Sequence, residues 1–184
     1  MKNDPVHLEW SVLHHENWKL VAVKTEKGLC YIGSPGQTVG EVQEKLKKRF
    51  PEAQITENHS SLKPYLEELE TYFAGCSQSF RLPIDVQGSP FQLEVWEALK
   101  QIPYGKTVSY SEIAALINRP AAVRAVGGAI GANPVMVYIP CHRVIGKNGA
   151  ITGFRGGLEL KQFLMDHELN PTKTSKDSKT AIKT

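Results

Sequence analysis

Apolar and polar residues alternate in short runs through the first part of the chain, then change to a longer period. HLEWSVL (7–13) and WKLVAVKT (18–25) alternate or run apolar, HHEN connects them, and LCYIGSPG (29–36) ends in turn residues. A period of two bounded by turn residues predicts β-strands. VGEVQEKLKKRF (39–50) instead carries Val42, Leu46 and Phe50 four residues apart. SLKPYLEELETYFAG (61–75) carries Leu62, Tyr65, Leu66, Leu69, Tyr72 and Phe73 and stops at Gly75. Both stretches read as amphipathic helices, the second closed by a C-terminal glycine. FRLPIDV (80–86) reads as a last short strand. The first half is therefore expected to be an α/β unit with an antiparallel sheet and flanking helices.

The pattern breaks at residues 86–89 and resumes with helix signals. Ser89 can cap, Pro90 suits the first helical position, and Gln92 completes a capping box. The helix that follows, PFQLEVWEALKQI, presents Phe91, Val95, Leu99 and Ile102 on one side with Trp96 beside them. A second capping box, Ser109 with Glu112, opens SYSEIAALIN, and Asn118 is placed to cap RPAAVRAVGGAI, which ends near Gly131. Two short helices across a tight Asn-Arg-Pro connection fit a helix-turn-helix. A final helix, LELKQFLMDHE, is amphipathic through Leu160, Phe163 and Leu164. The expected organisation is one unit over 1–87, a second over 88–170, and a polar, lysine-rich tail over 171–184 that reads as disordered.

Composition narrows the classes. A hydrophobic fraction of 41% with 15 glycines is that of a globular protein. No apolar run is long enough for a membrane helix, and MKNDPVHLEW lacks the apolar core of a signal peptide. Three scattered cysteines, Cys30, Cys76 and Cys141, suit free thiols in a reducing cytoplasm, with Cys30 and Cys76 read as buried fillers. A net charge of +3 permits a nucleic-acid partner without requiring one.

Two stretches need a special reason. Between Ala121 and Ala132 nearly all side chains are small, apart from Arg124. Glycine inside a helix costs about 1 kcal/mol relative to alanine, so Gly127 with Gly128 implies either close helix packing or close approach to a nucleic-acid backbone. Arg124 is long enough to enter a base stack, where a guanidinium stacks and donates. In YIPCHRVIG (138–146) a cysteine stands between proline and histidine. Free cysteine is among the most buried residue types, yet a thiol beside an imidazole also fits an activated nucleophile, with Glu168 a candidate to orient the imidazole.

IPCHRVIGKNGAITGFRGG resembles the active-site signature of the O6-alkylguanine-DNA alkyltransferases. The resemblance extends from GSPFQLEVWEALKQIPYGKTVSYSEIAAL through RAVGGAIGANP to LMDHE. It implies an α+β chain, with a ribonuclease-H-like α/β half followed by a helical, winged-helix-like DNA-binding half that contains the helix-turn-helix. It implies stoichiometric, irreversible transfer of an alkyl group from O6 of guanine, with O4 of thymine as a second candidate, to Cys141. His142 would be the base through a water, Glu168 would accept its other N–H, and Tyr110 would donate to the departing guanine. Arg124 would fill the space of the flipped nucleotide, on a face made by Ala122, Val123, Gly127 and Tyr110. Asn133 would hold the hinge before the cysteine loop. Val144 and Arg155 would line the pocket through backbone groups, Met136 and Phe154 through apolar surface. The partner would be double-stranded DNA carrying the lesion, bound by a cytoplasmic monomer, cooperatively or not, without a cofactor.

The chain departs from that pattern in two ways. Some members of the family carry serine where Arg155 stands, which bears on how large an adduct fits. Others bind zinc through two cysteines and two histidines; here Cys30 and Cys76 are 46 residues apart and His7, His14, His15 and His59 are loosely placed, so no metal is expected. A non-catalytic lesion-binding relative would carry another residue, typically tryptophan, in place of Cys141. A cysteine hydrolase or redox protein would leave the small-residue helix and Arg124 without a purpose.

Overall fold

The alternation in the first strands separates two packed faces of one sheet. In the computed structural model, which describes residues 6–16 and 18–170, β1 (His7–His15), β2 (Trp18–Lys24) and β3 (Leu29–Ile32) pair antiparallel in sequence order. Leu20 and Ala22 of β2 point into one apolar cluster and Val21 and Val23 into another. The second cluster is closed by Val42 and Leu46 of α1 (Val39–Arg49), whose start is fixed by a Thr38–Glu41 capping box.

Two expectations about this sheet are corrected. Gln54–Glu57 forms β4, parallel to β1, so the strand order is β3-β2-β1-β4 and the sheet is mixed rather than antiparallel. QITE is four residues long with Ile55 its one apolar side chain, too weak a pattern to read. Residues 80–86 form no regular strand. They lie along the open edge of β3, where Leu29 donates to the Pro83 carbonyl at 3.0 Å and Asp85 donates to the Leu29 carbonyl at 2.8 Å. Pro83 has no N–H to continue the ladder. Gly28 is needed at this edge, because a Cβ there would stand 2.4 Å from the Pro83 oxygen.

α2 (His59–Phe73), capped by Asn58, covers the other face of the sheet through Leu62, Tyr65, Leu66, Leu69, Tyr72 and Phe73. The same cluster continues into the second half through Trp96, Leu99, Met136 and Leu164. α3 (Pro90–Lys100) starts at the Ser89–Gln92 box, and its Trp96 donates to the Ala129 carbonyl at 2.8 Å. β5 (Val108–Ser109) leads into α4 (Tyr110–Leu116) at the Ser109–Glu112 box, and α5 (Val123–Gly131) follows. Asn118 does not cap α5. It ends α4 at φ 58, donating to Ala115, while Arg119 donates to the Ala114 carbonyl at 2.8 Å. Asparagine tolerates this left-handed position, so α5 begins only after Ala122, which offers no side-chain cap. β6 (Val144–Ile145) pairs parallel with β5, and α6 (Leu158–Leu169) closes the second half. The tail expected over 171–184 lies outside the described residues.

Candidate active site

Asn133, 1% exposed, sets the loop that carries Cys141. Its Oδ1 accepts from the Val135 N–H at 3.0 Å, while Nδ2 donates to the Ile139 carbonyl at 2.9 Å and to Cys141 Sγ at 3.1 Å. Between them Val137 is held at φ 76, a conformation that β-branched residues rarely adopt. Cys141 begins a single 3-10 turn, Cys141–Arg143, and keeps 4% of its surface. Burial pushes its thiol up, opposed by the Asn133 N–H and by the positive charges of Arg155 and Lys161. The resting group is therefore a thiol that needs a base.

The adjacent imidazole is held by a buried polar cluster. His142 Nε2 lies 2.6 Å from Glu168 Oε1, and Tyr72 donates to the same oxygen at 2.6 Å. Arg143 Nε reaches Glu168 Oε2 at 2.9 Å, Arg143 Nη2 reaches Oε1 at 2.9 Å, and the Gly105 N–H adds 2.9 Å to Oε2. Burial alone would raise the Glu168 carboxyl, but these donors, His142 and Arg143 foremost, hold it far below the usual carboxylate range. Burial lowers His142, and the Glu168 charge that would raise it is already shared with Arg143. His142 is thus neutral, with Nε2–H on Glu168, and its buried Nδ1 has no hydrogen-bond partner among the described residues. That lone pair is the free base of the site.

Two cations complete it, Lys161 buried and Arg155 half-buried. Lys161 is 0% exposed and donates to the Val144 carbonyl at 2.6 Å and the Thr152 carbonyl at 2.8 Å. Arg155 turns its side chain toward β3, donating to the Ile32 carbonyl at 2.7 Å. Neither has a carboxylate within salt-bridge reach among the described residues. Met136 is fully buried and meets Phe154 at Gly156, where a Cβ would stand 2.5 Å from the Phe154 ring and 3.0 Å from the Met136 sulfur.

Tyr110, at the start of α4, donates to the Thr152 carbonyl at 3.2 Å and lays its ring beside Gly127. Arg124 and Gly128 are exposed, Ala122, Val123 and Gly127 half-buried. A Cβ on Gly127 would make only ordinary contact with Tyr110, and one on Gly128 would meet nothing within 4 Å. Packing inside the molecule therefore does not require either glycine.

The model of the 6-O-methylguanine DNA methyltransferase ribonuclease-like domain matches residues 8–86, and that of the DNA-binding domain of the same family matches 90–170. An inducible methylated-DNA–protein-cysteine methyltransferase of Bacillus subtilis is 49% identical over 168 residues, 91% of this chain and 94% of the relative. The chain belongs to the 6-O-methylguanine DNA methyltransferase family. A Methanosarcina acetivorans relative with the same enzyme name is 43% identical over 78% of this chain and 86% of its own. Of solved structures, a Mycobacterium tuberculosis O6-methylguanine methyltransferase superposes with a TM-score of 0.77 at 34% identity, covering 89% of this chain and 93% of that one. The M. tuberculosis protein in complex with DNA gives 0.76 at 34% identity over 90% and 94%.

Within the family fold, the sequence pattern assigns no role in the site to Lys161, Tyr72, Arg143 or the Gly105 N–H. The buried stripe of α6 is Leu160, Lys161, Leu164, His167 and Glu168. Its spacing is helical, but three of its five side chains are polar. Leu158 and Leu169, meanwhile, are 54% and 60% exposed. That inversion was the available signal. Cys76, read as buried, is exposed, while Cys30 is buried with its thiol pushed up to about 12 by burial.

Proposed function

We propose that this chain repairs double-stranded DNA carrying O6-alkylguanine by moving the alkyl group to Cys141, once per molecule. The observation that carries the reading is the pair of contacts on neighbouring residues, Asn133 on Cys141 Sγ and Glu168 on His142. His142 Nδ1 takes the thiol proton through one water, and the thiolate attacks the alkyl carbon in line. The S–C bond forms as the C–O6 bond breaks, and Tyr110 donates to the departing guanine, whose negative charge would otherwise be unstabilised. The thioether is inert, so the molecule reacts once.

Because Cys141 keeps so little surface, the lesion must be brought to it outside the stack, and base flipping provides this. Arg124 occupies the space the base leaves. α5 with Ala122, Val123 and Gly127 lies against the DNA backbone in the minor groove, where small side chains permit close approach. Asn133, Met136, Val144, Phe154 and Arg155 shape the pocket and its hinge, on a second unit spanning 88–170 behind a first of 1–87. The protein acts in the cytoplasm as a monomer without a cofactor, and binds DNA mainly through phosphates and therefore more weakly as salt rises.

The test is intact-protein mass spectrometry after mixing with a duplex holding one O6-methylguanine, with Cys141→Ser as control. The expected result is one added methyl per molecule, mapped to Cys141 and absent from the control. Binding of the damaged duplex without any mass change would replace the enzyme by a lesion-binding protein.

A further inference from the structure

We infer that Arg155 is a positioning residue for the transfer: its guanidinium fixes the Asn133 hinge, and with it the Cys141 sulfur, to the N-terminal sheet. The inference rests on the function proposed above and concerns the side chain, where only the backbone of residue 155 had a role. Every N–H of the guanidinium is used. Nε donates to the Asn133 carbonyl at 3.1 Å, and Nη2 to the Pro134 carbonyl at 3.1 Å and the Ile32 carbonyl at 2.7 Å. Nη1 donates to Tyr31 Oη at 3.1 Å and Ser34 Oγ at 3.4 Å, and the Tyr31 ring centroid lies 4.9 Å from the guanidinium carbon. The Ser34 hydroxyl returns a hydrogen bond to the Arg155 carbonyl at 2.9 Å, and Ile32 N–H meets the Pro134 carbonyl at 2.9 Å.

The path from sheet to sulfur is therefore short: Ile32 and Tyr31, Arg155, Asn133, Cys141 Sγ. Three fork donors on one side and two on the other span a gap that lysine, with its single ammonium, does not. Charge adds to position. The charged groups acting on Cys141 are Arg155 and Lys161, with His142 beside it. Arg155 is a half-buried cation with no carboxylate in salt-bridge reach among the described residues, and a partly desolvated charge of this kind gains from a nearby anion. The Cys141 thiolate is that anion.

The experiment measures three quantities in wild type, Arg155→Ala, Arg155→Lys and the double variant Tyr31→Phe/Ser34→Ala. They are single-turnover methyl transfer from a short O6-methylguanine duplex, affinity for that duplex, and the pH midpoint for alkylation of Cys141 by iodoacetamide, read by peptide mapping. Both Arg155 variants should slow transfer by between about tenfold and a hundredfold, the scale of a small misplacement of a reacting atom. Duplex affinity should stay within about twofold, so that the loss is in the chemical step.

The iodoacetamide midpoint should rise in Arg155→Ala and less in Arg155→Lys, which keeps the charge. Methylguanidinium in solution should restore part of the Arg155→Ala rate. The double variant keeps the bonds to Asn133, Pro134 and Ile32 and should show a smaller loss in the same direction, which serves even where Arg155→Ala folds poorly. Wild-type rates and midpoint in Arg155→Lys and in the double variant would overturn the inference, as would equal losses of rate and affinity. A wild type that never accepts a methyl would defeat the function proposed above, and the iodoacetamide midpoints would still decide the effect of Arg155 on the sulfur.

Discussion

Glu168 gathers four donor residues from three parts of the chain: Tyr72 of α2, Gly105 before β5, and His142 and Arg143 of the cysteine turn. Glu168→Gln would leave the Arg143 guanidinium buried without its anion, a change that costs about 3–5 kcal/mol in comparable buried pairs. It would also leave His142 free to take the wrong tautomer, and loss of a carboxylate orienter of this kind slows catalysis by up to about 10⁴-fold. The expected outcome is a lowered melting temperature together with methyl transfer slowed by at least about a hundredfold. A variant as stable and as fast as wild type would remove Glu168 from the site. At this scale the sequence exposes residues whose type is odd for their place, such as a cysteine between proline and histidine. It conceals residues whose type is ordinary. Lys161 and Tyr72 look like a surface lysine and a core tyrosine, and only the three-dimensional path of α6 against the cysteine turn gives them partners.

Among the elements, α5 has the least to gain from its own sequence. Gly128 is exposed, with nothing within 4 Å of the position a Cβ would take. Gly128→Ala should therefore stabilise the helix by about 0.8–1 kcal/mol, raising the melting temperature by roughly 2–4 °C for a chain of this size. The same methyl should weaken binding to undamaged duplex if α5 approaches a DNA backbone. A variant that is more stable and binds equally well would remove α5 from the interface. Arg124→Ala, by contrast, should leave the melting temperature unchanged and slow methyl transfer from duplex more than from a single-stranded oligonucleotide, where no base need be extruded. Equal slowing on both substrates would argue against a role in flipping. Element starts were legible where a side chain announces them, as at Ser89 with Gln92 and Ser109 with Glu112. They were not legible where the backbone decides. Asn118 has the composition of an N-terminal cap, but its left-handed conformation ends α4 instead. β4 owes its existence to the edge that β1 offers and little to its own four residues.

Across the whole molecule, the buried polar groups make stability depend on pH in a direction that can be worked out. His142 is lowered from an ordinary 6.5 by burial, so the unfolded chain binds its proton first as pH falls. Stability therefore begins to decline below about pH 6.5 and continues to decline until the folded imidazole itself titrates. Glu168 is held far below its ordinary 4.5, so protonation of the unfolded chain adds a second loss below that pH. Cys141 works at the other end. Its thiol is raised above an ordinary 9.0, chiefly by burial, so above about pH 9 the unfolded chain ionises first and stability falls again. The melting temperature should thus be greatest between roughly pH 6.5 and 9 and fall on both sides. Cys141→Ala should remove Cys141's share of the alkaline decline, and His142→Phe should remove His142's share of the acid decline below about pH 6.5, leaving the shares of Glu168 and of His15, which burial also lowers. Transfer should follow the same imidazole: a base that stays neutral below pH 6.5 keeps the rate from falling until pH has passed below the value of a free histidine. A rate that falls by half at or above pH 6.5 would mean that the Glu168 charge, and not burial, governs His142.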